Sequence, residues 1–235
     1  MTGVCAHTKP AAIRTTAQIF IGIITVPCNL LQTCDVDVWL VSLEPDAALE
    51  QPNVLSPDEK LRGARFRFES DRNRWIRART ALRTILSEYT AIPPAEIQFA
   101  IGPHGKPAVA TSSMTEFSLS HAGSWAMVAV THNVPVGIDI ERIRENVNMA
   151  ALLRRLGVTD LPENKASQFH AWNRREAMTK AIGGPLLEAP AGNFGICDPG
   201  APEGYSAALA LLERTPQIRY RNTPVLAAGT SKPSL

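Results

Sequence analysis

The chain has 235 residues, of which 45% are hydrophobic and 20% are charged, and its formal net charge is +2. This composition is typical of a soluble globular protein that is long enough for one core or two small ones. The near-neutral charge argues against a global electrostatic attraction to nucleic acid or membrane surfaces. The four cysteines are scattered, without a CxxC pair, and we interpret them as reduced thiols of a cytoplasmic protein.

The first 34 residues are the least informative part of the chain. Lys9 and Arg14 precede an apolar run over residues 19–26, which loosely resembles a signal peptide. This run is shorter than the roughly 20 apolar residues that a membrane-spanning helix needs. We therefore interpret residues 1–34 as an N-terminal extension without fixed structure. An early start codon and an export signal remain alternatives.

The next part of the chain predicts an N-terminal half over residues 35–133. It opens with an alternating strand over residues 36–41, and Ser56 with Pro57 predicts the start of a short helix. A longer helix over residues 71–89 has an apolar stripe at spacings of three and four: Trp75, Ala78, Leu82, Ile85, Leu86 and Tyr89. Three further strands are predicted: residues 97–101, 117–120 and 125–130.

A C-terminal half is predicted over residues 134–229, followed by a loose tail over 230–235. Its predicted strands are residues 136–140, 194–197 and 205–212, and its helices are 147–156 and 164–182. Antiparallel strands beside long helices indicate an α+β fold. Both halves contain helices and strands in similar amounts.

Two short segments of the C-terminal half could form one metal and phosphate site. In a strand, residues two apart point to the same side, so Asp139 and Glu141 would project together while Ile138 and Ile140 face the core. In a helix, residues four apart share a face, as do Glu176 and Lys180. Three carboxylates and one ammonium suit a Mg²⁺ ion that holds a diphosphate.

Each segment also has a simpler interpretation. Two acids on a half-buried strand are common, and a Glu–Lys pair on an exposed helix contributes roughly 0.2–0.5 kcal/mol. We predict the core stripe of the second helix to be Ala171, Met178, Ala181 and Ile182. Glu176 and Lys180 would then lie opposite this stripe, beside the aromatic residues Phe169 and Trp172. A packed aromatic face argues against full exposure of the pair and favours a functional site.

These residues are similar to the signature of a known family. Val136–Glu141 reads VGIDIE, and residues 172–180 follow the pattern WxxxEAxxK. Together they resemble the Sfp-type 4'-phosphopantetheinyl transferases. Three further motifs agree in order: an arginine-containing helix with Arg65, Arg74 and Arg83; the turn Gly105–Lys106–Pro107; and the strand end FSLSH, residues 117–121.

The resemblance implies a fold, an activity and a set of site residues. The fold would be a pseudo-dimer of two similar α+β halves, each a small antiparallel sheet packed against a long helix. The enzyme would transfer 4'-phosphopantetheine from coenzyme A to a serine of an apo carrier protein (acyl, peptidyl or aryl), with Mg²⁺, and release 3',5'-ADP. Asp139, Glu141 and Glu176 would hold the metal, and Glu176 and Lys180 would be catalytic. The residues implied for coenzyme A are Arg62, Arg74, Lys106, Ser120, His121 and Lys180.

Arginines are concentrated between Arg62 and Arg83. They could form a solvated helix face, bind coenzyme A phosphates or attract an acidic carrier-protein helix. Nucleic-acid binding is a weaker interpretation because the chain is not basic overall. We expect no nucleic-acid partner and no membrane association. An internal pseudo-dimer favours a monomer.

The chain departs from the family pattern at two places. Arg175 stands where the family usually has lysine, and the segment after Gly183–Gly184–Pro185 is short. These departures motivate an alternative, a non-catalytic member of the same fold that binds coenzyme A or a carrier protein. A different magnesium-dependent enzyme acting on diphosphates is a third possibility.

Overall fold

The computed structural model describes residues 31–44, 54–111, 114–185 and 188–221. The predicted extension lies outside these residues except for its last four positions, and the predicted tail lies outside them entirely. The described helices and strands are β1 (Thr33–Ser42), α1 (Pro57–Ala64), α2 (Glu69–Thr90), β2 (Phe99–Ile101), β3 (Pro107–Val109), β4 (Thr115–Ala122), β5 (Trp125–His132), β6 (Val136–Arg142), α3 (Met149–Arg155), α4 (Lys165–Ile182), β7 (Phe194–Cys197), β8 (Tyr205–Leu212) and β9 (Thr215–Arg221). All predicted helices and strands are confirmed to within a few residues. Strands β3 and β9 were not predicted.

Helix α1 begins where the sequence predicts. The Ser56 hydroxyl accepts a hydrogen bond from the Glu59 N–H, and the Glu59 carboxylate accepts one from the Ser56 N–H. This capping box satisfies two backbone donors that would otherwise lack partners, and Pro57 occupies the first turn. None of the described helices is long and apolar enough to cross a membrane.

The first sheet has the strand order β4-β5-β1-β9. Helix α2 packs on one face of this sheet through large apolar side chains, as its predicted stripe requires. The core between them contains Trp39, Val41, Leu43, Ala78, Leu82, Ile85, Leu86 and Phe117. Tyr89, at the end of the stripe, is half-buried against the same core.

The second sheet is antiparallel, with the strand order β6-β8-β7. Side chains alternate between its two faces with the period of two that strands require. Ile138 and Ile140 of β6 belong to a core shared with Val36 and Met127 of the first sheet, which confirms their predicted direction. On the opposite face, Ala208 and Ala210 of β8 pack against helix α4. The fold is therefore α+β, with the two sheets packed together and a long helix on each outer face.

The last described strand returns to the first sheet. Strand β9 pairs in parallel with β1, so that a C-terminal segment completes the sheet formed by the N-terminal part. The buried Asp37 carboxylate accepts hydrogen bonds from Arg219 at 2.8 Å and Arg221 at 3.2 Å. It also accepts one from the Tyr89 hydroxyl at 2.7 Å, and Trp39 donates to that hydroxyl. Strand β9, strand β1 and helix α2 thus share one polar cluster.

Candidate active site

Strand β6 and helix α4 lie unusually close together. A Cβ atom added at Gly137 would lie 1.9 Å from the Ala177 carbonyl oxygen and 2.5 Å from the Ala181 nitrogen. Only glycine allows this approach of strand and helix backbone. The short distance brings polar side chains of α4 within reach of β6.

The predicted core stripe of α4 is partly wrong. Ala181 is buried, but Ala171 and Met178 are half-buried and Ile182 is 36% exposed. Together with Ala181, the buried face of α4 contains Phe169, Asn173 and Ala177, spaced four residues apart. The sequence pattern was misleading because a close helix–strand contact selects small residues and a hydrogen-bonded amide rather than large apolar side chains. Glu176 and Lys180 therefore border the packed face, and the prediction that they lie opposite it is wrong.

The Asp139 carboxylate is the centre of a buried hydrogen-bond network. Lys180 Nζ donates to Asp139 Oδ1 at 2.6 Å, and the Ser120 hydroxyl donates to the same oxygen at 2.8 Å. Asn173 Nδ2 donates to Asp139 Oδ2 at 2.6 Å. Lys180 Nζ also donates to Ser120 Oγ at 3.1 Å. Strands β4 and β6 and helix α4 thus meet at one acid. Asp139 and Lys180, two of the groups predicted to converge, are in contact, whereas the contact of Ser120 with Asp139 was not predicted.

Asn173 is a site residue that the sequence reasoning missed. Its amide is fully buried, and its Oδ1 atom has no hydrogen-bond partner among the described residues. The signal was the spacing of three and four that joins Asn173, Glu176 and Lys180 along one side of α4.

Glu141 and Glu176 are electrostatically coupled to Asp139. Burial raises the pKa of Glu176 to about 7; the charges of Asp139 and Glu141 add to this shift, while Lys180 and Arg175 oppose it. Burial and then the charge of Asp139 raise the pKa of Glu141, against the effect of Arg144, which lies 3.6 Å away. Three carboxylates thus repel one another in a partly desolvated place, which a bound cation would relieve.

Within the described part of the chain, no three acidic, histidine or cysteine side chains are grouped as a ready metal site. The donor chemistry nevertheless fits a hard cation, because Asp139, Glu141 and Glu176 offer only carboxylate oxygens. In this structure the Lys180 ammonium is the cation that pairs with the Asp139 carboxylate.

A cavity of about 1260 Å³ opens beside this network. Four of the predicted site residues line it and carry, or can take up, a positive charge: Arg62, Lys106, His121 and Lys180. Glu176 lines it as well, next to Thr179, whose buried hydroxyl has no described partner. Its volume exceeds the upper range of about 1,000 Å³ that is usual for small-molecule sites.

Lys106 joins the cavity wall to the end of α4. Its ammonium donates to the Ala181 carbonyl at 2.8 Å and to the Val136 carbonyl at 3.4 Å, and Glu116 lies 3.5 Å away. Burial lowers the pKa of Lys106, although Glu116 opposes the shift. Lys106 therefore also has a structural role, at the helix end where a cation is favourable.

The other predicted coenzyme A residues differ in their surroundings. Burial and then the nearby charge of Lys180 lower the pKa of His121. The Arg62 guanidinium lies 5.8 Å from the centre of the Trp75 ring, at the cavity wall. Arg74 instead forms ion pairs with Glu44 and Asp71, and neither Arg74 nor Ser120 is among the described residues that line the cavity.

A second charged cluster that the sequence reasoning missed supports the cavity wall. The Glu59 carboxylate accepts hydrogen bonds from Arg79 at 2.5 Å and from Arg83 at 2.7 Å. The buried Arg83 also donates to the carbonyls of Pro94 and Ile97. These contacts join α1 to α2. Arg79 and Arg83 are therefore not part of a solvated helix face, which was one of the interpretations that the sequence allowed.

Arg175, at the position where the family usually has lysine, is outside the Asp139 network. Its side chain is buried, and its guanidinium donates to the Glu188 carbonyl at 3.0 Å. Its Nε atom has no hydrogen-bond partner within the described residues.

Comparisons with known proteins identify the class of this fold and site. A family model described as the N-terminal part of 4'-phosphopantetheinyl transferase matches residues 45–133. The 4'-phosphopantetheinyl transferase HetI of Nostoc sp. is 31% identical over 172 residues, which cover 67% of this chain and 73% of HetI.

Two Bacillus proteins are also similar. The transferase psf-1 of Bacillus pumilus is 31% identical, over 62% of this chain and 67% of psf-1. The 4'-phosphopantetheinyl transferase Sfp of Bacillus subtilis is 25% identical, over 61% of this chain and 66% of Sfp. The chain belongs to the 4'-phosphopantetheinyl transferase family, as its motifs predict, and it is an enzyme of this class. The non-catalytic alternative is not favoured.

Proposed function

We propose that this enzyme transfers 4'-phosphopantetheine from coenzyme A to a serine hydroxyl of an apo acyl, peptidyl or aryl carrier protein and releases 3',5'-ADP. The observation that carries the proposal is the position of Glu176 and Lys180, which line the large cavity and border the buried Asp139 network. An acid with a pKa near neutrality and a cation therefore face one space that is large enough for a nucleotide.

Glu176 acts as the general base in this proposal. In the metal-free protein burial raises the pKa of Glu176 to about 7, and a bound cation would lower it again, so that the carboxylate is ionised and able to accept a proton. Its carboxylate has no hydrogen bond or ion pair with other described residues, so it is available to a substrate hydroxyl. Glu176 takes the proton of the carrier serine, directly or through a water molecule, as the serine oxygen attacks the phosphorus atom.

Lys180 and the metal ligands handle the negative charge. Asp139, Glu141 and Glu176 would hold Mg²⁺, which neutralises the charge of the diphosphate when it is bound. Lys180 donates to the phosphate oxygens and offsets the charge that builds up on the departing 3',5'-ADP. Asn173 keeps the Asp139 carboxylate in place through its hydrogen bond to Oδ2.

The remaining contacts with coenzyme A come from the cavity wall. Arg62, Lys106 and His121 all line this space, which supports a role for them in binding the nucleotide end. Arg74 and Ser120 have weaker support, because Arg74 is paired with surface acids and Ser120 is occupied by Asp139 and Lys180. We propose that Ser120 mainly orients these two groups.

The broader arrangement follows from the same proposal. We infer that the two sheet-and-helix units form a pseudo-dimer with coenzyme A between them, and that the protein acts as a cytoplasmic monomer without a nucleic-acid partner. Each unit has a mainly antiparallel sheet with a long helix on its outer face, which supports this view.

The direct test is a transfer assay with purified protein, coenzyme A, Mg²⁺ and a panel of apo carrier proteins, read by intact mass. We expect one carrier or more to gain the mass of one phosphopantetheine group. Glu176→Gln should lose at least about 100-fold in kcat, which is within the range for a general base. Glu163→Gln, an exposed glutamate ahead of α4, is the matched control and should retain the full rate. Full turnover by Glu176→Gln would exclude Glu176 from the chemistry.

A further inference from the structure

Both oxygens of the Asp139 carboxylate already have close partners. Oδ1 accepts hydrogen bonds from Lys180 Nζ at 2.6 Å and from the Ser120 hydroxyl at 2.8 Å, and Oδ2 accepts one from Asn173 at 2.6 Å. The Asp139 side chain is buried, so solvent screens this ion pair only weakly. A divalent cation therefore meets an acid whose negative charge is already compensated.

Lys180 has the freedom to leave this position. Its side chain is 31% exposed and lines the cavity, and its flexible stem lets the ammonium swing towards an anion in that space. Neither Glu141 nor Glu176 lies within 4 Å of the Lys180 ammonium, as judged from the described residues, so Asp139 is the acid that holds it in place.

We infer that Lys180 occupies the place of the divalent cation on Asp139 until a diphosphate enters the cavity. The anion attracts Lys180, the ion pair with Asp139 opens, and the freed carboxylate accepts the cation. Cation and diphosphate thus bind together, and each raises the affinity for the other by the same factor. This inference rests on the proposed function, which places a cation on Asp139 and a diphosphate beside Lys180.

The test measures the binding of Mn²⁺ alone to ligand-free protein, by electron paramagnetic resonance of the free ion. Coenzyme A is omitted because its own diphosphate binds the metal and would hide the effect of Lys180. Lys180→Met should bind Mn²⁺ about fivefold more tightly than the wild type, which corresponds to the loss of a competing ion pair. Lys180→Gln, which keeps polar character without the charge, should also bind more tightly and guards against a folding defect in the methionine variant.

Two controls make the result specific. Lys165→Met removes a positive charge from the same helix, but Lys165 pairs with Glu145 instead of Asp139, so its effect on Mn²⁺ affinity should stay below about twofold. Asp139→Asn should weaken Mn²⁺ binding in every background. Thermal unfolding of each variant shows that the proteins compared are folded.

The outcomes separate this inference from the proposed function. If Lys180→Met, Lys180→Gln and the wild type bind Mn²⁺ equally while Asp139→Asn does not bind it, the inference is overturned and the metal assignment stands. If no variant binds Mn²⁺, even after coenzyme A is added, the metal assignment is overturned together with the inference. Tighter binding by both Lys180 variants but not by Lys165→Met supports it.

Discussion

Helices α2 and α4 both cover a sheet, but they do so with opposite kinds of side chain. Helix α2 buries large apolar residues such as Leu82 and Ile85 against the first sheet. Helix α4 presents Ala177 to Ala208 and Ala210 on the second sheet. The polar residues Asn173, Arg175 and Thr179 of α4 are buried as well. In α2 the buried charged residue is Arg83, which is paired with Glu59.

The two helices differ in what their contact with the sheet provides: that of α2 provides apolar packing, and that of α4 brings polar side chains together. Large side chains keep helix and sheet apart and gain stability from buried apolar area. Small side chains contribute less area but let two backbones approach, so that Lys180 and Asn173 of α4 both reach Asp139 on β6. The helix with the weaker apolar contact thus supplies Lys180 and Asn173 to the candidate site, to which the first sheet contributes Ser120.

Gly137→Ala should have the largest effect of the substitutions considered, because it disrupts the close contact between β6 and α4. The new Cβ atom would overlap the Ala177 carbonyl, and a backbone atom cannot move aside as a flexible side chain can. We expect a loss of about 4 kcal/mol or more in the free energy of unfolding, measured by urea denaturation, with loss of transfer activity.

Gly63→Ala is the matched control in the first unit. Gly63 lies in helix α1, and its added Cβ would make ordinary contact with the Trp75 ring at 3.4 Å. This change should be neutral or stabilising by about 0.5–1 kcal/mol, because alanine favours helix. Equal effects of the two substitutions would contradict the claim that α4 packs more closely than the helices of the first unit.

Glu59→Gln should show what the ion-pair cluster contributes to the first unit. Burial alone would raise the pKa of Glu59, but the charge of Arg79 and hydrogen bonds from Ser56, Arg79 and Arg83 lower it overall. We expect a loss of about 2–3 kcal/mol at neutral pH, because two arginines lose their shared counter-ion. A depressed folded-state pKa gives stability that is present above the unfolded pKa and lost on acidification, so the difference should shrink at low pH.

The exposed Glu69 is the control for this prediction. Its side chain is 77% exposed and lies 3.7 Å from Arg72, so Glu69→Gln should change the free energy of unfolding by less than about 0.5 kcal/mol. A cost for Glu59→Gln as small as that for Glu69→Gln would mean that the cluster adds no stability.

Glu176→Gln should stabilise the metal-free protein at high pH, unlike Glu59→Gln. Burial raises the pKa of Glu176 from 4.5 to about 7, so the folded state binds more protons than the unfolded state between these values. Stability then falls as the pH rises through this window. The variant should gain about 1–2 kcal/mol over the wild type at pH 8, less than the full shift implies because solvent screens a half-buried group.

Thermal unfolding in the presence of a chelator, from pH 4 to pH 8, measures this difference. It should shrink as the pH falls through this window and approach zero at about pH 4, where most of the wild-type carboxyl is protonated in both states. A gain that does not change with pH would assign the effect to packing instead of charge. For Glu163→Gln the difference in stability from the wild type should not change with pH, because that side chain is exposed.

Much of this structure could be predicted because the residues concerned interact locally. The alternation in β6 predicted which side chains face the core, and the Ser56–Pro57 pair predicted the start of α1. The association of Asp139 with Lys180 was also predicted, although from similarity to a family as much as from spacing. The first two features are local, because the period of two in a strand and the residues at a helix start can be read directly from the sequence.

Other features depended on contacts between distant segments. The packed face of α4 was wrongly predicted because hydrophobicity alone does not indicate that Gly137 allows a close backbone approach. Asn173 seemed an ordinary polar helix residue until Asp139 was placed beside it. Strand β9 was missed because its exposed arginines hide a short pairing segment, and the partner strand β1 lies about 180 residues earlier in the chain.

Tyr89→Phe gives the smallest expected effect and tests how this missed strand is held. The Tyr89 hydroxyl donates to Asp37, which also binds Arg219 and Arg221 of β9, so its removal leaves the buried carboxylate with one partner fewer. We expect a loss of about 1 kcal/mol in the free energy of unfolding and faster hydrogen exchange in β9 than in β8. Tyr220→Phe is the control on β9 itself: that side chain is 68% exposed and should tolerate the change. If exchange in β9 is unaffected by Tyr89→Phe, the strand is held by its backbone pairing with β1 alone, and the first unit does not depend on the polar cluster for its completion.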